Sequence, residues 1–279
     1  RTSAGAEAAA SHTGALAGSE AVYDSIFKQA GIIRVESIDE LFDYATVFSY
    51  KNESQLGKLR KKVPESNRVA IITNAGGPGI VATDMTISSG LELARFHPET
   101  VEALASHLPQ TANLHNPVDV IGDASQQRYE NALSAVIKDE GVDCALVILT
   151  PQSMTNALAT AEAIARVARR TAKPIICCFM GIVDVSAGVK YLQEKGIPVF
   201  KVPETGARAL GALYRYSRWL NRQILAPFEF EHDSAGAATI IAECLAAGRN
   251  YLSEVDGLQL LACYGFKVLE TRLADSAET

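Results

Sequence analysis

The first residue in this sequence placed to do chemistry is His12, in the run Ser11-His12-Thr13-Gly14-Ala15-Leu16-Ala17-Gly18. None of its neighbours is bulky enough to bury the ring. Neutral imidazole is a nucleophile near pH 7, since its ordinary pKa is about 6.5. Attack on a phosphoryl group would give a phosphoramidate, and small neighbours would let the loop visit a donor and an acceptor in turn. An ordinary loop histidine has the same surroundings, so spacing alone leaves both readings open.

The second candidate is Thr73-Asn74-Ala75-Gly76-Gly77-Pro78-Gly79, between a strand-like run and a helix-like one. Glycines there let the backbone approach an anion, and the free N–H groups of a helix start point at it. Asn74, Ala75, Gly76, Gly77 and Gly79 are therefore candidate phosphate-binding positions, with the Asn74 amide as an added donor. The helix dipole contributes only about 0.3–2 kcal/mol, so several N–H bonds would have to hold a phosphate. The spacing is neither G-x-G-x-x-G nor a Walker A loop. A turn whose glycines serve only tight packing is the competing reading. Asp84, within the following helix, is either a helper or solvent-facing.

The third candidate is Asn116-Pro117-Val118-Asp119-Val120-Ile121-Gly122-Asp123-Ala124. It sets Asn116, Asp119 and Asp123 near a strand end, where doubly wound folds build their sites; a turn followed by a helix cap is the simpler reading and the one favoured. His97, His107 and His115 are spaced by ten and eight residues, which fits no zinc pattern, so no metal site is expected. The cluster Lys58, Arg60, Lys61 and Lys62 is diluted by Asn52, Glu53, Glu65 and Ser66, and 51–67 reads as a solvated linker. Trp219 and its neighbours Tyr214 and Tyr216 read as helix packing.

The elements that must position these groups follow from hydrophobic spacing. Residues 1–18 read as a loop with a short helix near 6–10. A helix over 19–30 sets Val22, Ile26 and Phe27 on one face, from a Ser19 cap to a Gly31 stop. A short strand is expected over 32–35. Ser37 then caps a helix to Phe48 with Ile38, Leu41, Phe42 and Ala45 as its buried stripe. From Arg68 onward strands over 69–73, 91–96, 117–120, 143–149, 174–179 and 197–200 alternate with helices. The helix over 155–170 turns Leu158, Ala161, Ile164 and Ala168 inward. Strands alternating with helices imply a parallel sheet covered on both faces, so 68–225 reads as one doubly wound α/β domain of flavodoxin-like or Rossmann-like type. After Pro227 the rhythm changes to helices over 235–247 and 253–264 and a strand over 266–269.

The chain has 279 residues, 48% apolar and 21% charged, which is enough to bury a substantial core. A net charge of −6 argues against a nucleic-acid surface. The cysteine count is odd and includes no C-x-x-C pair; with Cys144, Cys177 and Cys178 in apolar runs, a reducing, cytoplasmic location is expected. No apolar run reaches the roughly 18 residues that span a bilayer, and no signal peptide is visible. The opening Arg1-Thr2-Ser3 and the abrupt stop after 266–269 read as cuts within a longer polypeptide.

Three runs in this order and at these distances carry a resemblance: Ala8-Ala9-Ala10-Ser11-His12-Thr13-Gly14-Ala15-Leu16-Ala17-Gly18, Ile72-Thr73-Asn74-Ala75-Gly76-Gly77-Pro78-Gly79 and Asn116-Pro117-Val118-Asp119. They resemble the ADP-forming acetyl-CoA synthetases of the NDP-forming acyl-CoA synthetase superfamily, to which succinyl-CoA synthetase belongs. The tail, from Tyr251-Leu252-Ser253-Glu254 to Gly265-Phe266, looks like the start of that family's ATP-grasp region. The resemblance implies that acyl-CoA, phosphate and ADP interconvert with a carboxylic acid, CoA and ATP. His12 would be the phosphohistidine, with Ser11, Thr13, Gly14, Asn116 and Asp119 as site support. The Asn74–Gly79 turn would stabilise the phosphate. It also implies a flavodoxin-like, succinyl-CoA synthetase-like fold. Residues 1–60 would end a first such domain, 68–226 would form a complete CoA-ligase-like domain, and 227–279 would lead into the ATP-grasp domain.

CoA, ATP or ADP and Mg²⁺ would serve the full-length enzyme, mostly in regions this chain lacks. The ATP-grasp domain would lie in cis or on a separate subunit of a homo-oligomer or heterotetramer. The family's CoA-binding Rossmann domain, the opposing helix start and a histidine-orienting glutamate are missing here, so the isolated chain is expected to be inactive. Two other readings compete: a synthetase-like acyl-CoA-sensing scaffold of a protein acetyltransferase, in which the phosphohistidine tends to be lost, and a non-enzymatic flavodoxin-like interaction module.

Overall fold

The computed structural model describes residues 5, 20–49, 51–53, 59–61, 63–181, 185–224, 229–269 and 271. His12 lies outside the described residues, as do Ser11, Thr13 and Gly14. Two compact units divide between Arg222 and Gln223.

The first unit is built on a parallel sheet. Its strands are β3 (Arg68–Thr73), β4 (Glu92–Leu93), β5 (Val118–Asp119), β6 (Cys144–Leu149), β7 (Ile175–Phe179) and β8 (Val199–Phe200). They run in the order β4-β3-β6-β7-β8, with β5 pairing β3 at Ile72 and Thr73 beyond the stretch taken by β4. The helices between them are α3 (Gly76–Ser88), α4 (Pro98–His107), α5 (Gln126–Lys138), α6 (Ala157–Ala168), α7 (Ser186–Glu194) and α8 (Pro203–Leu220). This is the doubly wound, flavodoxin-type order, in which the chain leaves β3 first to one side and then to the other, placing the switch point between β3 and β6.

Strand periodicity divides the core into two layers, because successive side chains point to opposite faces. Ala70, Ile72, Ala145, Val147 and Leu149 pack with Leu104, Tyr129, Val136 and Ile164 beneath α4, α5 and α6. Val69, Ile71, Leu146 and Ile148 pack with Ala82, Leu210 and Leu213 beneath α3 and α8. Burial pushes the Cys144, Cys177 and Cys178 thiols up, so these cysteines act as small buried hydrophobes.

Ahead of the sheet lie α1 (Glu20–Ala30) and α2 (Ile38–Phe48), then a ribbon of β1 (Lys51–Glu53) and β2 (Leu59–Lys61). Gly31 ends α1 at φ +72, and its backbone lies on the Trp219 ring: an added Cβ would meet that ring at 2.4 Å. Trp219 Nε1 donates to Gln29 O at 3.2 Å, and Tyr216 stacks on Trp219 at 6.0 Å, so Trp219 does serve packing. Ser37 caps α2 through Glu40 N.

Several expectations are corrected. Residues 32–35 form no strand, and neither do 266–269. The stretch 51–67 is not a featureless linker, since β1 and β2 pair antiparallel within it. The stripe expected to be buried on α2 is solvent-exposed, with Ile38 at 74%, Leu41 at 52% and Phe42 at 65%, and Ala45 exposed beside them. Tyr44 and Val47 are the residues α2 buries, against α8. Val22 and Ile26 of α1 are exposed as well. Apolar spacing located an apolar stripe on each helix, but the residues the first unit buries on α2 are others, Tyr44 and Val47. On α6, Ala161, Ile164 and Ala168 are buried while Leu158 points outward.

The second unit pairs α9 (Ser234–Ala246) with α10 (Glu254–Cys263). Asp233 caps α9, and Ser253 with Asp256 forms a reciprocal capping box on α10. No helix among the described residues is long and apolar enough to cross a membrane.

Asp139, at the end of α5, has a fully buried side chain. It accepts from His97 N at 2.8 Å and Gly141 N at 2.7 Å and faces His97 Nδ1 at 2.6 Å. Burial pushes this carboxyl up, but bonds from Thr100, His97 and Gly141 outweigh it and bring it down from 3.8 to about 2. Its contribution to stability is present above pH 3.8 and is lost as pH falls through about 2. His97 is raised above 6.5 by its bond to Asp139, so its share is complete below 6.5 and fades as pH rises past the raised value. Asp139→Asn should flatten the acid limb of a denaturation-against-pH profile and return His97 toward 6.5 by NMR titration.

Thr86 is fully buried on α3, and its hydroxyl has no hydrogen-bond partner among the described residues. Thr86→Val should raise stability by about 1 kcal/mol in urea denaturation, because it removes an unsatisfied polar atom at nearly constant shape.

Candidate functional site

The carboxyl ends of β3, β5 and β6 bring the second and third sequence candidates together. Thr73 O accepts from Val120 N at 2.8 Å. An added Cβ on Gly79 would lie 3.0 Å from Thr73 Cγ2 and 3.8 Å from Pro117 Cβ. Gly79 is therefore a packing glycine, and the packing reading holds at that position.

Gly76 and Gly77 differ. An added Cβ at either would meet nothing within 4 Å. Ala75 is the N-cap and supplies no side-chain cap. Its own N–H goes to Thr73 Oγ1 at 3.0 Å, and Gly79 N–H returns to Ala75 O at 3.3 Å. Pro78 has no N–H to give. The donors this helix start presents are thus the amides of Gly76 and Gly77, both solvent-exposed residues. Ile80 and Val81 lie exposed on the same helix, and so does Asp84.

The Asn74 side chain is not the added donor expected of it. Its Oδ1 accepts from Thr150 N at 2.8 Å and its Nδ2 donates to Thr150 O at 2.8 Å. Asn74 is 3% exposed and bridges the ends of β3 and β6, at the switch point. It positions the turn and does not reach into the open space.

Asn116 and Asp119 likewise act on the backbone. Asn116 Oδ1 accepts from Ile71 N at 2.9 Å, while Nδ2 donates to Val69 O at 2.6 Å and Ala94 O at 3.1 Å. It fills the gap in the edge of β3 between β4 and β5. The Asn116–Pro117 bond is cis. Asp119 Oδ1 accepts from Ile121 N at 2.9 Å, an Asx turn that holds Ile121 at φ 69. Asp123 pairs with Arg128 at 2.6 Å.

Sequence reasoning missed Thr150, whose only signal was its place directly after the clearest strand. It also missed the His97–Asp139 pair, whose members are 42 residues apart. His97 and His107 line one cleft, and no group of three or more His, Cys, Asp or Glu among the described residues is arranged to hold a metal ion.

Residues 69–223 match the family model described as the Ligase-CoA domain, and residues 1–48 match the succinyl-CoA ligase like flavodoxin domain. The ADP-forming acetate–CoA ligase I of Archaeoglobus fulgidus is 36% identical over 279 residues, covering 100% of this chain and 38% of the relative. The α subunit of ADP-forming acetate–CoA ligase I of Pyrococcus furiosus is 35% identical over 221 residues, covering 78% of this chain and 46% of that subunit. A solved structure of a Ca. Korarchaeum cryptofilum dinucleotide forming acetyl-coenzyme A synthetase 1, in complex with phosphate and ADP, is similar at TM-score 0.70 and 31% identity. That match covers 78% of this chain and 45% of the other. The chain therefore spans less than half the length of each of these relatives.

The two kinds of glycine should separate by mutation. Gly77→Ala should fold with stability unchanged within about 0.5 kcal/mol, as at an unconstrained surface site. Gly79→Ala should lose about 1–3 kcal/mol by overpacking Thr73. Asn74→Ala should cost at least as much, because it strips the partners from both the N–H and the C=O of Thr150. Urea denaturation of the three variants checks the order.

Proposed function

Because the chain belongs to the Ligase-CoA family of succinyl-CoA synthetase-like proteins, we propose that it is the central section of an NDP-forming acyl-CoA synthetase. The reaction interconverts acyl-CoA, phosphate and ADP with a carboxylic acid, CoA and ATP. The observation that carries this reading is the start of α3, where Gly76 and Gly77 are solvent-exposed first-turn residues at the carboxyl edge of the sheet, with no side chain capping their amides.

In this reading phosphate attacks the acyl-CoA thioester, releasing CoA and leaving an acyl phosphate. His12, as neutral imidazole, attacks the phosphorus and the carboxylate departs. The Gly76 and Gly77 amides share the charge of the phosphoryl group while it is handled, and Asn74 and Asp119 keep the surrounding turns in place. The terminal phosphate oxygen of ADP then takes the phosphoryl group and regenerates imidazole. Positioning and charge stabilisation supply most of the catalysis in such transfers. Mg²⁺ accompanies the nucleotide.

Residues 1–60 would close a first flavodoxin-like domain, 68–226 would form the CoA-ligase-like domain and 227–279 would open the ATP-grasp domain. The exposed Val22, Ile26, Ile38, Leu41 and Phe42 would then face the remainder of the first domain. That a relative of this chain is an α subunit supports an ATP-grasp region on a separate subunit in some members of the family, and in cis in others. The cytoplasm is the compartment that suits its buried free thiols.

The test is phosphorylation of the complete enzyme by labelled ATP and Mg²⁺. An acid-labile label should form on the wild type and be absent from His12→Ala. A label that survives the substitution would refute the assignment. The 279-residue chain alone should show no ADP-dependent acyl-CoA turnover in a coupled assay.

A further inference from the structure

Remote from the α3 start, the α1–Gly31 corner and the last turns of α8 enclose a cleft of about 580 Å³. Its size falls in the range of small-molecule sites, about 300–1,000 Å³. The lining is cationic, in a chain whose net charge is −6: Lys28, Arg34, Arg215, Arg218 and Arg222 all contribute. Arg215, Arg218 and Arg222 recur at helical spacing, so α8 presents them on one side.

The carboxylates nearby are already used. Glu20 and Asp24 both pair with Arg34. Lys28, Arg215, Arg218 and Arg222 make no ion pair with a carboxylate among the described residues. Arg215 donates to the Tyr44 hydroxyl, and Arg222 donates to Trp219 O while its guanidinium lies 4.0 Å from the Trp219 ring centre. Among the described residues Arg218 meets the Tyr214 ring, at 6.0 Å, and no carboxylate. One wall is apolar: Ile32, 53% exposed, with Phe27 and Ile33.

We propose that this cleft binds a nucleoside di- or triphosphate through its phosphate chain, at a site separate from the phosphoryl-transfer turn. Guanidinium groups match phosphate oxygens in geometry and charge, and several lining one concavity favour a compact polyanion over an isolated carboxylate. The apolar wall offers the base a dry surface. An acidic protein segment would need matching charge but not the concavity. Because Lys28 belongs to α1 and Arg215, Arg218 and Arg222 to α8 and its end, the bound phosphates tie α1 to the sheet domain, and α1 is the helix that follows the His12 run.

The chain supplies its own probe, since Trp219 is its single tryptophan and Arg222 rests on it. Titrating the 279-residue chain with ADP, ATP, tripolyphosphate, inorganic phosphate or poly-glutamate, excited selectively at Trp219, should give a saturable change with ADP and ATP. Calorimetry on the same samples gives a second readout. Arg218→Ala and Lys28→Ala should each weaken nucleotide binding about tenfold, the loss of one charge-assisted contact. Both should keep the wild-type circular dichroism. Salt should weaken binding steeply.

No heat and no fluorescence change with millimolar ADP or ATP would overturn the proposal. So would nucleotide binding undiminished in both variants, since that places the nucleotide elsewhere. Binding of tripolyphosphate without ADP or ATP would overturn the nucleotide assignment. A response to poly-glutamate alone would assign the cleft to an acidic protein partner instead. None of these results bears on His12 phosphorylation, which is read by a different label.

Discussion

One carboxamide holds the switch point of this sheet together. At the carboxyl ends of β3 and β6 the chain turns away to opposite sides, and Thr150 lies just past the last paired residue of β6. Asn74 supplies partners to both backbone polar groups of Thr150, its N–H and its C=O. Buried groups left unpaired at that point would cost about 1–3 kcal/mol each. With the two strand ends joined, the turn that follows Asn74 has a defined start, and so has α3. The Thr73 hydroxyl then takes the Ala75 amide, and Gly79 comes into contact with Thr73. The orientation of the Gly76 and Gly77 amides follows from those contacts.

The other polar side chains of the sheet edge play the same part. Asn116 bonds three backbone groups of the β3 and β4 segments, and Asp119 fixes the left-handed Ile121. At this sheet edge the polar side chains Asn74, Asn116 and Asp119 therefore stabilise the backbone, and the donors they leave exposed are the main-chain amides of Gly76 and Gly77. A backbone amide cannot be moved by a rotamer change, so its precision depends on the side chains bracing it.

This division explains what the sequence revealed and what it withheld. The alternation of apolar strands with helices gave the flavodoxin-like sheet, because period 2 and period 3.6 are local properties of the chain. The same local reasoning found the apolar faces of α1 and α2 but not what covers them, since burial depends on partners far away in sequence. Asn74 was recognised as belonging to the turn, yet the direction of its amide depended on Thr150, 76 residues on. Asp139 and His97 meet only through the path of the sheet, so neither motif nor spacing announced the pair. Glycines showed the sharpest limit: Gly76, Gly77 and Gly79 look alike in sequence, and only their surroundings separate open space from close packing.

The two proposed anion sites, the α3 start and the α8 cleft, differ in a way that physical chemistry makes intelligible. Neutral amides at a helix start attract an anion with a partial charge, worth about 0.3–2 kcal/mol from the dipole plus the individual hydrogen bonds. A phosphoryl group that must arrive and leave in every cycle is better served by that modest hold than by paired guanidiniums, since stabilising a resting state more than the transition state slows the transfer. The α8 cleft has the opposite construction: full charges on long side chains and an apolar wall. Such a surface retains a ligand and does not pass it on. Its lining comes from both α1 and α8, so a ligand retained there would add to the Gly31–Trp219 contact that already joins them.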